Sequence, residues 1–232
     1  MTGSGRGIGR ETAILLSKRG LNVVLCSRTQ RELDSTAREI EQIIKTDADN
    51  RIAGIRSDIS NSSEVDHLIK STIDKFKSID ILINNAGIVY VKKLIDTSED
   101  EWDRTIDINL KGSFLCTRAA LPFMINNRSG VIINVSSGAG KTGFPDISAY
   151  CASKFGVIGL TESVAWEVAN YNIRVMAICP GEVDTKMQQD VDPDYYRNNK
   201  HKMLQPRTVA QKIVEMIFEE RQYHNGQSVE IG

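Results

Sequence analysis

Short runs of β-branched and aliphatic residues alternate with longer stretches in which apolar positions recur every three or four residues. The runs fit strands buried on both faces, and the stretches fit helices with one apolar side. Strands are predicted at Asn22–Cys26, Arg51–Arg56, Asp80–Asn84, Val131–Val135, Arg174–Ile178 and Gln227–Ile231. Helices are predicted between them at Ile8–Arg19, Arg31–Lys45, Glu64–Phe76, Glu99–Asn126, Ala149–Asn170 and Val209–Glu219. This alternation is the signature of an α/β fold, a parallel sheet covered by helices. Ser98-x-x-Glu101 forms a capping box for the fourth helix, and Asn61-x-x-Glu64 gives the third a similar start. Pro180–Pro206 is the one long stretch with neither pattern, and irregular segments of that length are usually lids or binding loops. No repeat, low-complexity tract or linker interrupts the pattern, so residues 1–232 read as a single domain.

Composition acts by exclusion. Lys and Arg number 29 against 30 Asp and Glu, a net charge of −1, so no global field draws nucleic acid or anionic lipid. No apolar run approaches the roughly 20 residues that span a bilayer, and the N-terminus lacks a signal-peptide pattern. Cys26, Cys116, Cys151 and Cys179 are scattered with no CxxC pair, which argues against a metal site or a disulfide framework. Reduced thiols in a cytoplasmic protein are the expectation.

Two motifs carry chemistry. Thr2-Gly3-Ser4-Gly5-Arg6-Gly7-Ile8-Gly9 opens the first helix. Small residues there let the backbone approach a pyrophosphate, and the helix aims its first amides at the anion. Thr2 fits a strand-end position whose hydroxyl braces the turn. Such a loop should follow a strand, yet only Met1 precedes Thr2. The first central strand is therefore absent from the sequence, and the natural chain is expected to start several residues upstream. A carboxylate about 20 residues past the loop would select NAD(H) by bonding the ribose 2′-hydroxyl. The chain instead offers Ser27 and Arg28, with no acid before Glu32. Arg28, Ser27 and Arg6 suit a 2′-phosphate, so the expected cofactor is NADP(H). At the other end, Tyr150 and Lys154 lie four residues apart, on one helix face. A phenol with a pKa of about 10 is a poor acid at neutrality, and a fixed ammonium nearby should lower that value. With the glycine loop, the pair reads as a nicotinamide-dependent reductase.

These residues resemble the short-chain dehydrogenase/reductase family over nearly the whole chain. The likeness rests on the glycine loop, Asn84-Asn85-Ala86-Gly87, Asn109, Ser136-Ser137, Tyr150-x-x-x-Lys154 and Pro180-Gly181. It implies a Rossmann-type doubly wound parallel sheet of seven strands. It also implies catalytic roles for Asn109, Ser137, Tyr150 and Lys154. Ser137 is preferred to Ser136 by its spacing to the tyrosine. Cofactor contacts are implied for Thr2, Gly3, Ser4, Arg6, Gly7, Ile8 and Gly9 in the loop, and for Ser27 and Arg28 beyond it. Asp58 and Ile59, with Asn85, Ala86 and Gly87, fall on the adenosine side. Pro180, Gly181, Val183 and Thr185, with Tyr150 and Lys154, fall on the nicotinamide side. The resemblance extends to reductases of 3-oxoacyl thioesters, so the substrate is expected to be a ketone or an acyl thioester. Met187, Tyr195, Tyr196 and Met203 are expected to be apolar anchors for it, and Phe144 and Ile147 pocket walls. Oxidation of an alcohol by the same residues remains open, as does a non-catalytic NADPH-binding sensor. Family members pack the helices near Asn109 and Tyr150 against a partner, which implies a homodimer or homotetramer.

Overall fold

The computed structural model describes residues 1–44 and 51–232; Lys45, which ends the second predicted helix, lies outside the described residues. The first half of the chain runs α1 (Gly7–Lys18), β1 (Val23–Ser27), α2 (Gln30–Ile44), β2 (Ile52–Arg56), α3 (Ser62–Phe76) and β3 (Ile81–Asn84). It continues through α4 (Glu99–Ile106), α5 (Gly112–Asn127), β4 (Gly130–Val135), α6 (Ser148–Glu167) and β5 (Ile173–Pro180). Two short helices, α7 (Lys186–Val191) and α8 (Pro193–Asn199), lead to α9 (Pro206–Phe218) and β6 (Ser228–Ile231).

Every strand pairing is parallel. Successive strand residues face opposite helical layers, as the two-residue period of a strand requires. Leu25, Ile83, Ile133 and Met176 pack with α1, α2 and α9, while Cys26, Leu82, Ile132 and Val175 pack with α3, α5 and α6. Both faces are covered, which is why the strands read as unbroken apolar runs.

β1 pairs with β2, and β3 through β6 pair in order. Met1 and Thr2 join the two sets. Thr2 N donates to Ile83 O at 3.0 Å, and Cys26 N donates to Met1 O at 3.1 Å. Thr2 also forms a parallel bridge with Cys26. These two residues therefore hold the C-terminal end of the central strand position, where the order of strands reverses. Such a switch point opens a crevice at the carboxyl ends of the strands. The expected seventh strand is represented by these two residues alone.

Two predicted elements differ from what forms. The single helix expected over 99–126 is interrupted at Asp107–Lys111 by one π-helical turn, between α4 and α5. The stretch expected to be irregular folds into α7 and α8. Thr185 caps α7, accepting from Gln188 N at 3.3 Å. Asp192 caps α8, accepting from Asp194 N and Tyr195 N at 3.1 and 2.8 Å, with Pro193 at its first position. An aspartate before a proline is a helix start, because proline's missing N–H costs nothing there.

Candidate active site

The glycine loop is built so that backbone, not side chain, lines the crevice. Gly3 and Gly7 have φ of 62° and 57°, in the left-handed region that favours glycine. Thr2 fastens the loop to the end of β3: its Oγ1 accepts from Asn85 N at 3.0 Å and from Ala86 N at 3.1 Å. Asn85 Nδ2 donates back to Thr2 O and Gly3 O at 3.1 and 3.0 Å. Ser4 departs from its expected role. Its hydroxyl is fully buried, accepting from Cys26 N at 2.8 Å, so it ties the loop to β1 rather than facing the crevice.

No side chain caps α1, whose N-cap residue is Arg6. The first amides of a helix need partners, and here they open onto a cavity of about 380 Å³ lined by Arg6, Gly7 and Ile8. The donor set fits a pyrophosphate. Across the gap, Thr185 Cγ2 lies 3.4 Å from where a Cβ on Gly7 would sit, so α7 closes over the loop.

The same cavity reaches Gly87, Ser137, Tyr150, Lys154, Pro180, Gly181 and Val183. Ser137 and Ser136 diverge. Ser136 Oγ donates to Lys154 O at 2.9 Å and holds α6 against β4, whereas Ser137 faces the cavity and the Tyr150 phenol. Lys154 is buried, and its Nζ donates to Val135 O at 2.8 Å, 5.5 Å from the centre of the Tyr150 ring. Asn109 sits in the π turn. Its Oδ1 accepts from Ile88 N at 2.8 Å, and its Nδ2 donates to Ile88 O and Ser153 Oγ at 2.9 and 3.0 Å. Those bonds lock the strand-β3 loop to α6 just behind the lysine.

The expected lowering of the tyrosine pKa is absent in the protein alone. Burial pushes the Tyr150 phenol up, and the Ser137 hydroxyl opposes it. Burial acts on the lysine in the opposite sense, pushing it down to about 8, with Cys179 nearby opposing.

That value has a consequence for stability. The unfolded amine titrates near 10.5, so from about pH 8 upward the unfolded chain holds the extra proton and stability rises with pH. The Met1 amine, lowered from 8.0 by burial, acts in the same sense below that pH. Cys26 and Cys116, raised by burial to about 11 and 12, take stability away above about pH 9. The window belonging to Lys154 is therefore about pH 8–9. Across it the unmodified protein should gain about 1 kcal/mol relative to Lys154→Met. Urea unfolding at the two pH values measures this; an unchanging difference would mean the amine keeps its proton throughout.

Other predicted residues lie at the margins. Ser27 Oγ accepts from Thr29 N at 3.2 Å, and Arg28 is exposed beside it. Asp58 Oδ1 accepts from Ser60 N and Oγ at 3.0 and 2.7 Å. Burial opposes its ionisation, but those bonds and Arg28 outweigh it and hold the carboxyl below its usual range. Ile59 is buried, its side chain filling the space where a Cβ on Gly112 would sit. Phe144 and Ile147 line the cavity as expected, joined by Val89, Val91 and Val191, which the sequence reading missed. Of the four expected anchors only Met187 lines it. Tyr195 donates to Glu182 Oε2 at 3.1 Å, Tyr196 donates to Asp184, and Met203 is buried. The two tyrosines thus pin α8 to the Val183–Leu204 bridge at the base of the loop.

Residues 1–196 match the family described as short chain dehydrogenase. A 3-oxoacyl-acyl-carrier-protein reductase of a Synechocystis species is 39% identical over 84% of this chain and 77% of its own. One from Thermotoga maritima is 34% identical over 100% of this chain and 94% of its own. Among solved structures, levodione reductase superposes with a TM-score of 0.92 at 29% identity, covering 99% of this chain and 93% of that one. An actinorhodin polyketide ketoreductase variant solved with NADPH also scores 0.92, at 28% identity, covering 100% and 94%. Among the described residues no helix is long and apolar enough to cross a membrane. The chain is a Rossmann-type α/β oxidoreductase and belongs to the short chain dehydrogenase family.

Proposed function

We propose that the protein is an NADPH-dependent carbonyl reductase acting on a ketone or a 3-oxoacyl thioester. One observation carries the reading: the uncapped start of α1 and the Ser137–Tyr150–Lys154 cluster share a single cavity. Bound dinucleotide supplies a hydride to the carbonyl carbon. Tyr150 gives its proton to the carbonyl oxygen as negative charge grows there. Ser137 donates a hydrogen bond to the same oxygen, which strengthens as the charge develops. Lys154, while protonated, would hold the ribose hydroxyls of a bound dinucleotide and favours the phenolate. Asn109 holds a water that returns a proton to the lysine. The walls formed by Val89, Val91, Phe144, Ile147 and Met187 suit an apolar acyl chain or ring.

Arg28, with Ser27 and Arg6, receives the 2′-phosphate. Arg28→Glu is expected to weaken NADPH at least about tenfold, through a lost pairing and an added repulsion, and NADH by no more than about twofold. Titration of dinucleotide fluorescence reads both, and equal losses would reject the phosphate assignment. Following NADPH oxidation against a panel of ketones and 3-oxoacyl thioesters tests the function itself. Turnover of none of them would reject it. The reading has the protein act in the cytoplasm as a homodimer or homotetramer. Exposed Phe114, Phe123, Phe155 and Trp166 on α5 and α6 support that association.

A further inference from the structure

A carboxylate stands beside Arg6 and Ser27, two of the three side chains proposed to receive the 2′-phosphate. Glu32, on the first turn of α2, leans over Gly5 of the glycine loop. A Cβ on Gly5 would lie 2.7 Å from Glu32 Cβ, 2.9 Å from Glu32 Oε2 and 3.5 Å from Ser27 Oγ. Glu32 Oε1 is 3.7 Å from Arg6 Nη1. One turn further on, Thr36 Oγ1 donates to Gly5 O at 3.3 Å, which fixes α2 on the loop and holds Glu32 in place. The side chain is one-third exposed, so its charge reaches solvent rather than the core. Gly5, Arg6 and Ser27 thus surround an anion that belongs to the protein itself.

We propose that Glu32 is a specificity-determining residue that sets the balance between phosphorylated and unphosphorylated dinucleotide. It serves Arg6 as an internal counter-ion and opposes a 2′-phosphate, so it moderates the preference that Arg6 and Arg28 create. The idea rests on the reading of this crevice as a dinucleotide site. A phosphate carries close to two negative charges and must compete with Glu32 for Arg6, whereas a ribose hydroxyl carries none and does not. Arg6 is more than half exposed, so solvent screens the ion pair and its effect on binding is moderate.

The test uses the full chain and measures Kd for NADPH and NADH by fluorescence titration. Glu32→Gln keeps the shape and removes the charge. NADPH should tighten about three- to tenfold, with NADH changed by less than about twofold. In an Arg6→Gln background the gain should shrink to less than about half, because the counter-ion is gone. Glu32→Ala should reproduce the gain if charge is responsible, and thermal unfolding of each variant checks that the loop still folds. Equal shifts for both dinucleotides, or a weaker NADPH complex, would make Glu32 a loop support and overturn the proposal. Weakening of NADH alone would overturn it too, by making Glu32 a ligand of the ribose hydroxyls. The proposed NADP(H) preference fails separately, if the unmodified protein binds NADPH no more tightly than NADH. The shift caused by Glu32→Gln decides the role of Glu32 in either case.

Discussion

Tyr150→Phe should lower the rate of carbonyl reduction at least about a hundredfold while leaving the NADPH Kd within about twofold. The substitution removes one oxygen and keeps the ring that packs on the cavity wall beside Lys154. Binding then loses almost nothing, because the glycine loop and the start of α1 are untouched. On the proposed mechanism the chemical step loses its proton donor, and Ser137 is left to hold an oxygen that receives no proton. Single-turnover reduction of a ketone, alongside dinucleotide titration, separates the two quantities. A variant that keeps more than about a tenth of the rate would show that another group is the acid.

Gly9→Ala should abolish dinucleotide binding and destabilise the fold by about 1–3 kcal/mol or more. An added Cβ would overlap the Gly3 carbonyl oxygen and lie 2.8 Å from the Gly3 carbonyl carbon and 2.6 Å from Asn85 Nδ2. Two of those neighbours are backbone, and Asn85 is held by its bonds to Thr2 O and Gly3 O. The loop has to move away from α1, and the close approach proposed for the pyrophosphate is lost. Urea unfolding and NADPH titration measure the two effects. Gly143, where an added carbon meets nothing within 4 Å, serves as the comparison and should take alanine without either loss. A stable Gly9→Ala protein that still bound NADPH would mean that the loop is looser than its contacts require.

The strands were legible because burial on both faces demands runs such as Ile81–Asn84 and Ile173–Pro180, whatever lies around them. That Tyr150 and Lys154 lie side by side was legible because a spacing of four along one helix survives folding. What failed to read out depends on partners distant in the chain. Ser4 turns inward because Cys26, 22 residues away, offers both an amide and a carbonyl. Tyr195 and Tyr196 turn from the cavity because Glu182 and Asp184 accept their hydroxyls. Glu32 reaches Gly5 only once α2 docks on the loop. The direction of the Tyr150 shift followed burial, which a spacing of four residues does not encode. The helix start at Asp192-Pro193 was written in the sequence but hidden by the polar residues around it.

The widened turn at Asp107–Lys111 fixes a phase as well as a bend. One surplus residue in a helix turns everything beyond it by about 100°. Without it, Leu115, Cys116 and Met124 would rotate off the sheet while Asn109 stayed near the lysine. Removing a single residue from this turn would therefore act as a twist of the rod, pitting the core beneath α5 against the site beside it.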